Sequence, residues 1–127
     1  MLFKKEKLIE FMKPGSVLLD HTTSSPSLAR AIYQAAKERS ILTVDAPVSG
    51  GDIGAKNGKL VSMVGGEKEA VEAVMPVLKC YSANIAHMGG PGKGQETKMV
   101  NQIMISGAMV AMCEGLVAGH KCGLDLT

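Results

Sequence analysis

The first half of the chain alternates short apolar runs with helical periodicity. Apolar residues from Leu8 to Met12 predict a short helix that ends at Pro14-Gly15, because proline and glycine interrupt helices. The run Ser16–Asp20 then predicts a strand buried on both faces, as in parallel sheets. A helix is expected from Pro26 to about Arg39, with its core face at Leu28, Ile32, Ala35 and Ala36.

A second strand is expected over residues 41–48. The order strand, helix, strand favours a right-handed crossover in a largely parallel, doubly wound sheet. After a loop with room for one short helix at 49–55, the pattern predicts a strand at 59–64, a helix at 67–78 and a strand at 84–88. The core face of that helix should hold Ala70, Val71, Val74 and Leu78.

The last third of the chain has the pattern of one long helix. It should extend from Pro91-Gly92-Lys93-Gly94 onward, continue to about Lys121 and end at Cys122-Gly123. Such a helix is roughly 40 Å long at about 1.5 Å per residue. Large apolar side chains surround it, so we expect a buried helix whose remaining cover comes from outside this chain, most simply from a second copy.

Composition and charge exclude several classes of protein. Apolar residues make up 46% and charged residues 20% of the 127 residues, which is typical of an ordered globular protein. The net charge of +2 has only one dense basic stretch, Lys4-Lys5 with Lys7, so nucleic acid is not an expected partner. The weakly polar run 103–113 is shorter than the ~20 residues of a membrane helix, so no membrane is expected either.

The cysteines and histidines suggest neither disulfides nor a metal site. Cys80, Cys113 and Cys122 are an odd set without paired ligand spacing, which favours a reducing compartment such as the cytoplasm or the mitochondrial matrix. The three histidines have no carboxylate or cysteine partner at metal-ligand spacing. We therefore expect no metal.

Two segments have residues suited to chemistry. Ser49-Gly50-Gly51 follows a strand at the edge where doubly wound sheets bind ligands, and its backbone N–H groups could hold an anion, although a plain flexible turn explains the same residues. Lys98 lies about one turn into the long helix, with Asn101 and Gln102 three and four residues later. An ammonium and two amides on one face suit a substrate hydroxyl or carbonyl, whereas a lone helix lysine is usually solvated.

Three motifs, in order, resemble the 3-hydroxyisobutyrate dehydrogenase family of β-hydroxyacid dehydrogenases. Asp20-His21-Thr22-Thr23 is similar to its Asp-x-Ser-Thr strand end, which by spacing alone would be helix capping. Residues 45–51 with Gly54-Ala55 match its Asp-Ala-Pro-Val-Ser-Gly-Gly-x-x-Gly-Ala substrate motif, and residues 92–98 match its Gly-x-Gly-x-x-x-Lys catalytic motif. The resemblance covers nearly the whole chain.

The resemblance implies a role for each matching residue. Lys98 would exchange a proton with the substrate oxygen while NAD or NADP takes or gives the hydride. Ser49, Gly50 and Gly51 would bind the carboxylate of a small acid, and Thr23 would lie near the nicotinamide ribose. Asn101 would orient the substrate, and Gln102 stands where the family usually has a second asparagine.

The resemblance also implies a division of the chain. Residues 1–89 would be the second half of a doubly wound Rossmann-like NAD(P)-binding domain, and residues 90–127 the long interdomain helix that begins an all-α domain. The family's Gly-x-Gly-x-x-Gly turn for the cofactor pyrophosphate is not found in residues 1–127. The expected activity is that of a 3-hydroxyacid dehydrogenase, with the chain by itself inactive. The alternatives are an inactive interaction module and an aldehyde-reducing relative that acts on glyoxylate or succinic semialdehyde.

Overall fold

Five strands form one mixed sheet in the computed structural model, which describes residues 6–126. Lys4 and Lys5 of the basic stretch lie outside the described residues. The strands are β1 Val17–Asp20, β2 Leu42–Asp45, β3 Val48–Ser49, β4 Leu60–Gly66 and β5 Ser82–Gly89. The helices are α1 Glu6–Phe11, α2 Pro26–Lys37, α3 Gly51–Lys56, α4 Lys68–Leu78 and α5 Lys93–Lys121. The α/β fold followed by a long helix is confirmed.

The sheet is less parallel than the sequence pattern predicted. Strands β1 and β2 pair in parallel, from Val17 opposite Leu42 to Asp20 opposite Asp45, as the strand, helix, strand order requires. Strands β4 and β5 are also parallel, but β4 runs antiparallel to both β2 and β3. The reason is that only the six-residue α3 separates β3 from β4, which is too short for a parallel crossover.

The strand predicted over residues 41–48 is interrupted at Ala46-Pro47. The Ala46 N–H still donates to the Asp20 carbonyl at 2.8 Å, but Pro47 has no N–H to donate. The chain then resumes as the two-residue β3, which pairs with the middle of β4. The chain thus leaves β2 after Asp45 and pairs with β4 instead, in the short β3 that ends at Ser49.

The core lies between the sheet and α4. Val44, Ala46 and Val64 of the sheet pack against the α4 face formed by Ala70, Val71, Val74 and Leu78, all of them buried. The predicted face of α4 is therefore confirmed. The first strand differs from its prediction, because all four residues of β1 are only half-buried at the edge of the described sheet.

The α2 side of the sheet has a smaller core. Ile9, Ala36 and Ile41 are buried there, and Leu28 and Ile32 are half-buried, as predicted. Ala35 is exposed, so its assignment to the core face was wrong. It precedes Ala36 by one residue, about 100° around the helix, which turns it toward solvent.

Helix α5 has 29 residues, and its bounds agree with the prediction. Only Gly94, Gln95 and Lys98 are buried, whereas residues 102–118 are all exposed in the described chain. The run 103–113 is thus helical as expected, but it is not buried by any described residue. By length and composition α5 as a whole could cross a membrane, since an 18-residue stretch reaches a mean hydropathy of 1.5.

Candidate active site at the start of the long helix

The two most specific motifs meet where β2 ends and α5 begins. Asp45 is 7% exposed, and its carboxylate accepts hydrogen bonds from the backbone N–H groups of Gly92 at 2.8 Å and Gln95 at 2.9 Å. Burial raises the pKa of this carboxyl, and the two backbone donors act in the opposite direction. Asp45 thus caps a helix that starts 47 residues later in the chain.

Two glycines allow this junction to close. A Cβ on Gly94 would lie 2.4 Å from the Asp45 carbonyl oxygen and 2.5 Å from the Met63 carbonyl oxygen. A Cβ on Gly65 of β4 would lie 2.5 Å from the Gly94 nitrogen. All three distances are far below van der Waals contact with backbone atoms. Only glycine at positions 65 and 94 therefore permits the observed approach of α5 to the sheet. We call residues 92–98, which make these contacts, the anchored turn.

The anchored turn ends at the candidate catalytic lysine. Lys98 is 8% exposed, and its Nζ donates to the Val48 carbonyl oxygen at 2.8 Å. Val48 directly precedes Ser49, so the ammonium lies against the base of the predicted substrate loop. An ammonium has three N–H donors, and two remain for further acceptors. The solvated reading of Lys98 is thereby ruled out.

The predicted substrate loop, residues 49–51, is open to solvent. Ser49 ends β3 and is half-buried, whereas Gly50 and Gly51 are exposed. Their φ angles of 125° and 62° lie in a region that other residues rarely adopt. A Cβ on Gly50 would also approach the Leu60 side chain at 3.2 Å. The loop therefore presents backbone N–H groups without side chains in front of them.

A buried glutamine ties Thr23 to the same helix. Gln95 is 1% exposed, its Nε2 donates to the Thr22 carbonyl oxygen at 2.6 Å, and its Oε1 accepts from the Ser24 N–H at 2.9 Å. Thr23, between these two residues, is exposed. It borders a cavity of about 510 Å³ whose wall on the helix side includes Met99.

The two amides after Lys98 are hydrogen-bonded to each other but differ in exposure. Asn101 is half-buried and its Nδ2 donates to Gln102 Oε1 at 3.3 Å. Gln102 is exposed and lines the cavity beside Thr23. The structure thus brings Gln102 and Thr23 to one cavity. It places Lys98 against Val48, the residue before Ser49, and Asn101 bonds to Gln102.

Sequence reasoning missed the parts played by Asp45 and Gln95. Asp45 was visible only as the first residue of a motif, and Gln95 stands at a position that the Gly-x-Gly-x-x-x-Lys pattern leaves unspecified. The available signal for Gln95 was its place as a polar residue within one turn of the start of a largely apolar helix. Their burial, which identifies their roles, depends on long-range packing.

The segment after β1 serves structure as well as the site. The Asp20 carboxylate accepts from the N–H and the hydroxyl of Thr22, and Ser25 caps α2 by accepting from the Leu28 N–H at 3.2 Å. His21 Nδ1 donates to the Ala46 carbonyl at 2.7 Å, and its Nε2 is 2.7 Å from the Tyr81 hydroxyl. Capping interactions therefore explain part of the Asp20–Thr23 motif, and the exposed Thr23 takes no part in them.

Other features of the described residues do not coincide with this site. A cavity of about 740 Å³ lies at the opposite end of the sheet, next to Tyr33 and Lys37. Among residues 6–126 no cluster of three or more histidine, cysteine or acidic side chains could hold a metal ion. The glycine-rich start of α5 is also not a phosphate site, because the Asp45 carboxylate already accepts from two of its backbone N–H groups.

Comparison with known proteins explains this geometry. Residues 1–90 match the NAD-binding domain of 6-phosphogluconate dehydrogenase, and residues 92–127 match the NAD-binding segment of NADP-dependent 3-hydroxyisobutyrate dehydrogenase. The chain belongs to this NAD(P)-binding dehydrogenase family.

Three relatives illustrate the membership. The chain is 51% identical to the uncharacterized oxidoreductase YkwC of Bacillus subtilis, over 97% of this chain and 43% of the relative. It is 45% identical to the probable mitochondrial 3-hydroxyisobutyrate dehydrogenase-like 2 of Arabidopsis thaliana, over 98% and 42%. The solved structure of a 3-hydroxyisobutyrate dehydrogenase of Mycobacterium tuberculosis, described with L-serine, superposes with a TM-score of 0.87 at 33% identity over 93% of this chain and 40% of that chain.

The dehydrogenase relatives are longer than this chain. It spans about 40% of their length.

Proposed function

We propose that this chain forms the substrate and proton-transfer side of an NAD(P)-dependent dehydrogenase that interconverts a short 3-hydroxy acid and its semialdehyde. One observation carries the proposal: Lys98 is buried at the start of α5 and contacts the strand that delivers Ser49. A buried lysine beside an open glycine loop is suited to a substrate that has both a reacting oxygen and an anionic group.

Each residue then has a role in the reaction. Lys98 takes the proton from the substrate hydroxyl during oxidation and returns it to the carbonyl oxygen during reduction. Ser49 and the N–H groups of Gly50 and Gly51 bind the carboxylate, so the carbon that reacts is held at a fixed distance from Lys98. Asn101 and Gln102 orient the substrate from the next turn of α5.

The cofactor, when bound, accepts or donates the hydride at the same substrate carbon. The cavity beside Thr23 is open enough to fit the nicotinamide end, and Thr23 would contact the ribose there. The glycine-rich start of α5 does not suit the cofactor pyrophosphate, because the Asp45 carboxylate already accepts from two of its backbone N–H groups. We therefore expect this chain by itself to be inactive with NAD or NADP.

The test is a chimera in which residues 1–127 replace the matching segment of the Bacillus subtilis relative. Lys98→Met should lower the turnover number by at least ~10²-fold and leave cofactor affinity nearly unchanged. Lys98→Arg should restore little, because a guanidinium keeps its proton at any working pH. Near-normal turnover of the Lys98→Met chimera, with an unchanged pH profile, would contradict the role of Lys98.

The carboxylate site is tested by Ser49→Ala in the same chimera. This change should act mainly on the Michaelis constant, because the hydroxyl holds the substrate equally in the ground and transition states. A loss confined to the turnover number would place Ser49 in the chemical step instead. The control is Thr97→Ala, whose hydroxyl bonds only to the Lys93 carbonyl of its own helix.

The substrate is the least constrained part of the proposal. The Mycobacterium tuberculosis relative described with L-serine supports a small hydroxy acid. An aldehyde-reducing activity on glyoxylate or succinic semialdehyde is the enzymatic alternative, and it would require the same lysine and carboxylate loop. Comparing kcat/KM of the chimera for 3-hydroxyisobutyrate, L-serine and the two aldehydes decides between them.

A second candidate function is an inactive interaction module, and it is supported by the exposed apolar surface of α5. Pairing of two copies through α5 is compatible with either function, and we propose such a homo-oligomer. The expected location is the cytoplasm or the mitochondrial matrix, in line with three cysteines that are free and exposed. A mitochondrial location is supported by the name of the Arabidopsis relative.

A further inference from the structure

The side chain of Gln95 joins two parts of the site that are distant in sequence. It lies in the anchored turn, three residues before Lys98, and bonds to the backbone of Thr22 and Ser24, more than 70 residues earlier in the chain. At 1% exposed it is among the most buried side chains of the described chain. A glutamine in such a place has both ends of its amide committed.

The two bonds flank Thr23 on either side. The amide Nε2 donates to the Thr22 carbonyl and the amide oxygen accepts from the Ser24 N–H, so the backbone of Thr23 is held by one rigid planar group. The Thr23 side chain itself is exposed toward the cavity of about 510 Å³. Gln95 therefore controls where Thr23 lies without contacting any ligand in that cavity.

The backbone of Gln95 on α5 is held by separate contacts. The Gln95 N–H donates to the buried Asp45 carboxylate, and Gly94 leaves no space between α5 and the sheet. Lys98 follows on the next turn and is held by Val48. A displacement of Thr23 relative to Lys98 thus requires the Gln95 amide to lose at least one of its bonds.

We infer that Gln95 is a positioning residue that sets the distance between the Thr23 backbone and the helix that carries Lys98. The inference rests on the proposed function for its catalytic consequence, since Thr23 and Lys98 are the proposed cofactor and proton-transfer positions. Its structural part is independent of that function. The two parts are therefore measured separately.

The structural part is tested by amide hydrogen exchange of the 127-residue chain. Gln95→Met keeps the length of the side chain and removes both bonds, so exchange at Ser24 should become at least tenfold faster. Gln95→Glu keeps the acceptor for the Ser24 N–H and loses only the donor to the Thr22 carbonyl, so Ser24 should exchange more slowly in this variant than in Gln95→Met. The control is Gln34→Met, at an exposed glutamine of α2. Unchanged exchange at Ser24 in Gln95→Met would overturn the inference.

The catalytic part is tested in the chimera by a pH profile. An ionised carboxylate cannot donate to the Thr22 carbonyl, but a protonated carboxyl can, so Gln95→Glu should regain activity relative to the unmodified chimera as the pH is lowered. We expect a loss of about tenfold in kcat/KM at high pH, mostly through the cofactor Michaelis constant. A loss without pH dependence would show that Gln95 serves folding only.

The two hypotheses fail in different ways. If Lys98→Met leaves turnover intact, the proposed function is wrong whatever the Gln95 variants do. If Lys98→Met abolishes turnover while Gln95→Glu matches Gln34→Glu at every pH, the proposed function stands and the positioning role of Gln95 is wrong.

Discussion

Helix α5 has two regions with opposite surroundings. Its anchored turn, residues 92–98, is packed against the sheet through glycine, a buried carboxylate and buried polar side chains. Its distal segment, residues 99–121, is apolar and exposed along the described chain. The large apolar side chains of this helix are thus exposed, whereas the polar side chains of Gln95 and Lys98 are buried. Polar burial is costly unless every group is paired, so the anchored turn is the part whose geometry is specified.

The strongest test of this contrast substitutes two glycines of one helix. Gly94→Ala would place a Cβ about 2.4 Å from the Asp45 carbonyl oxygen, so we expect a loss of up to about 3 kcal/mol in the free energy of unfolding. Gly107→Ala in the distal segment meets no atom within 4 Å and should stabilise the helix by up to about 1 kcal/mol. Urea unfolding followed by circular dichroism measures both. Equal effects of the two substitutions would refute the contrast.

A second test removes the charge that caps the anchored turn. Asp45→Asn retains one acceptor but turns an amide donor toward a backbone N–H, so we expect a loss of about 1 to 3 kcal/mol. Asp52→Asn, at an exposed aspartate of α3, is the matched control and should change stability by less than about 0.5 kcal/mol. If the two variants unfold at the same urea concentration, Asp45 does not hold the helix.

The stability of the chain should also depend on pH through Asp45, and the direction of this dependence can be predicted. Because burial raises the pKa of Asp45 above 3.8, the folded chain binds this proton more tightly than the unfolded chain does. This contribution to stability is complete below pH 3.8 and is lost as the pH rises through the folded-state pKa. Asp45→Asn should remove this fall from the curve of stability against pH. A fall that persists in the variant would assign it to another group.

The sequence predicted the bounds of α5 and the core face of α4 better than the contacts of the anchored turn. Glycine before Lys93 and glycine after Cys122 were sufficient for the bounds of α5, and the spacing of Ala70, Val71, Val74 and Leu78 was sufficient for the core face of α4. These features depend on neighbours along the chain. The antiparallel course of β4 and the exposure of Ala35 depend on how distant segments pack, which local periodicity does not contain.

The site divides in the same way. The motifs located Lys98 and Ser49, because a family resemblance fixes residue types at fixed spacings. They did not indicate that Lys98 bonds to Val48, or that Asp45 and Gln95 hold the two motifs together. Those contacts join residues about 50 positions apart, and a pattern of residue types does not specify which atoms meet.

A third test concerns the exposed surface of the distal segment. If two copies pair through it, sedimentation at increasing concentration should show a rising mass for the 127-residue chain, as expected for an apolar surface of this kind. Val110→Lys should weaken this association, whereas Ile53→Lys, at an equally exposed residue of α3, should not. A compact monomer at every concentration would contradict pairing through α5.

The smallest expected effect lies on the solvent side of the anchored turn. Glu96 pairs with Lys93 at 2.6 Å and with Arg30 of α2 at 2.9 Å, and these partners, Lys93 foremost, lower its pKa from 4.5. The stability from this cluster should therefore be present above pH 4.5 and be lost as the pH falls through the folded-state pKa, opposite in sign to Asp45.

Glu96→Gln measures this contribution, and Glu72→Gln, at a looser exposed pair on α4, is its control. Because both pairs are solvated, the change in urea midpoint should be smaller than that for Asp45→Asn and should shrink further in about 1 M salt. Since Arg30 joins α2 to α5, Glu96→Gln should still exceed Glu72→Gln at low salt. A salt-independent loss as large as that of Asp45→Asn would mean that the outer ion pairs, and not the buried carboxylate, hold the anchored turn in place.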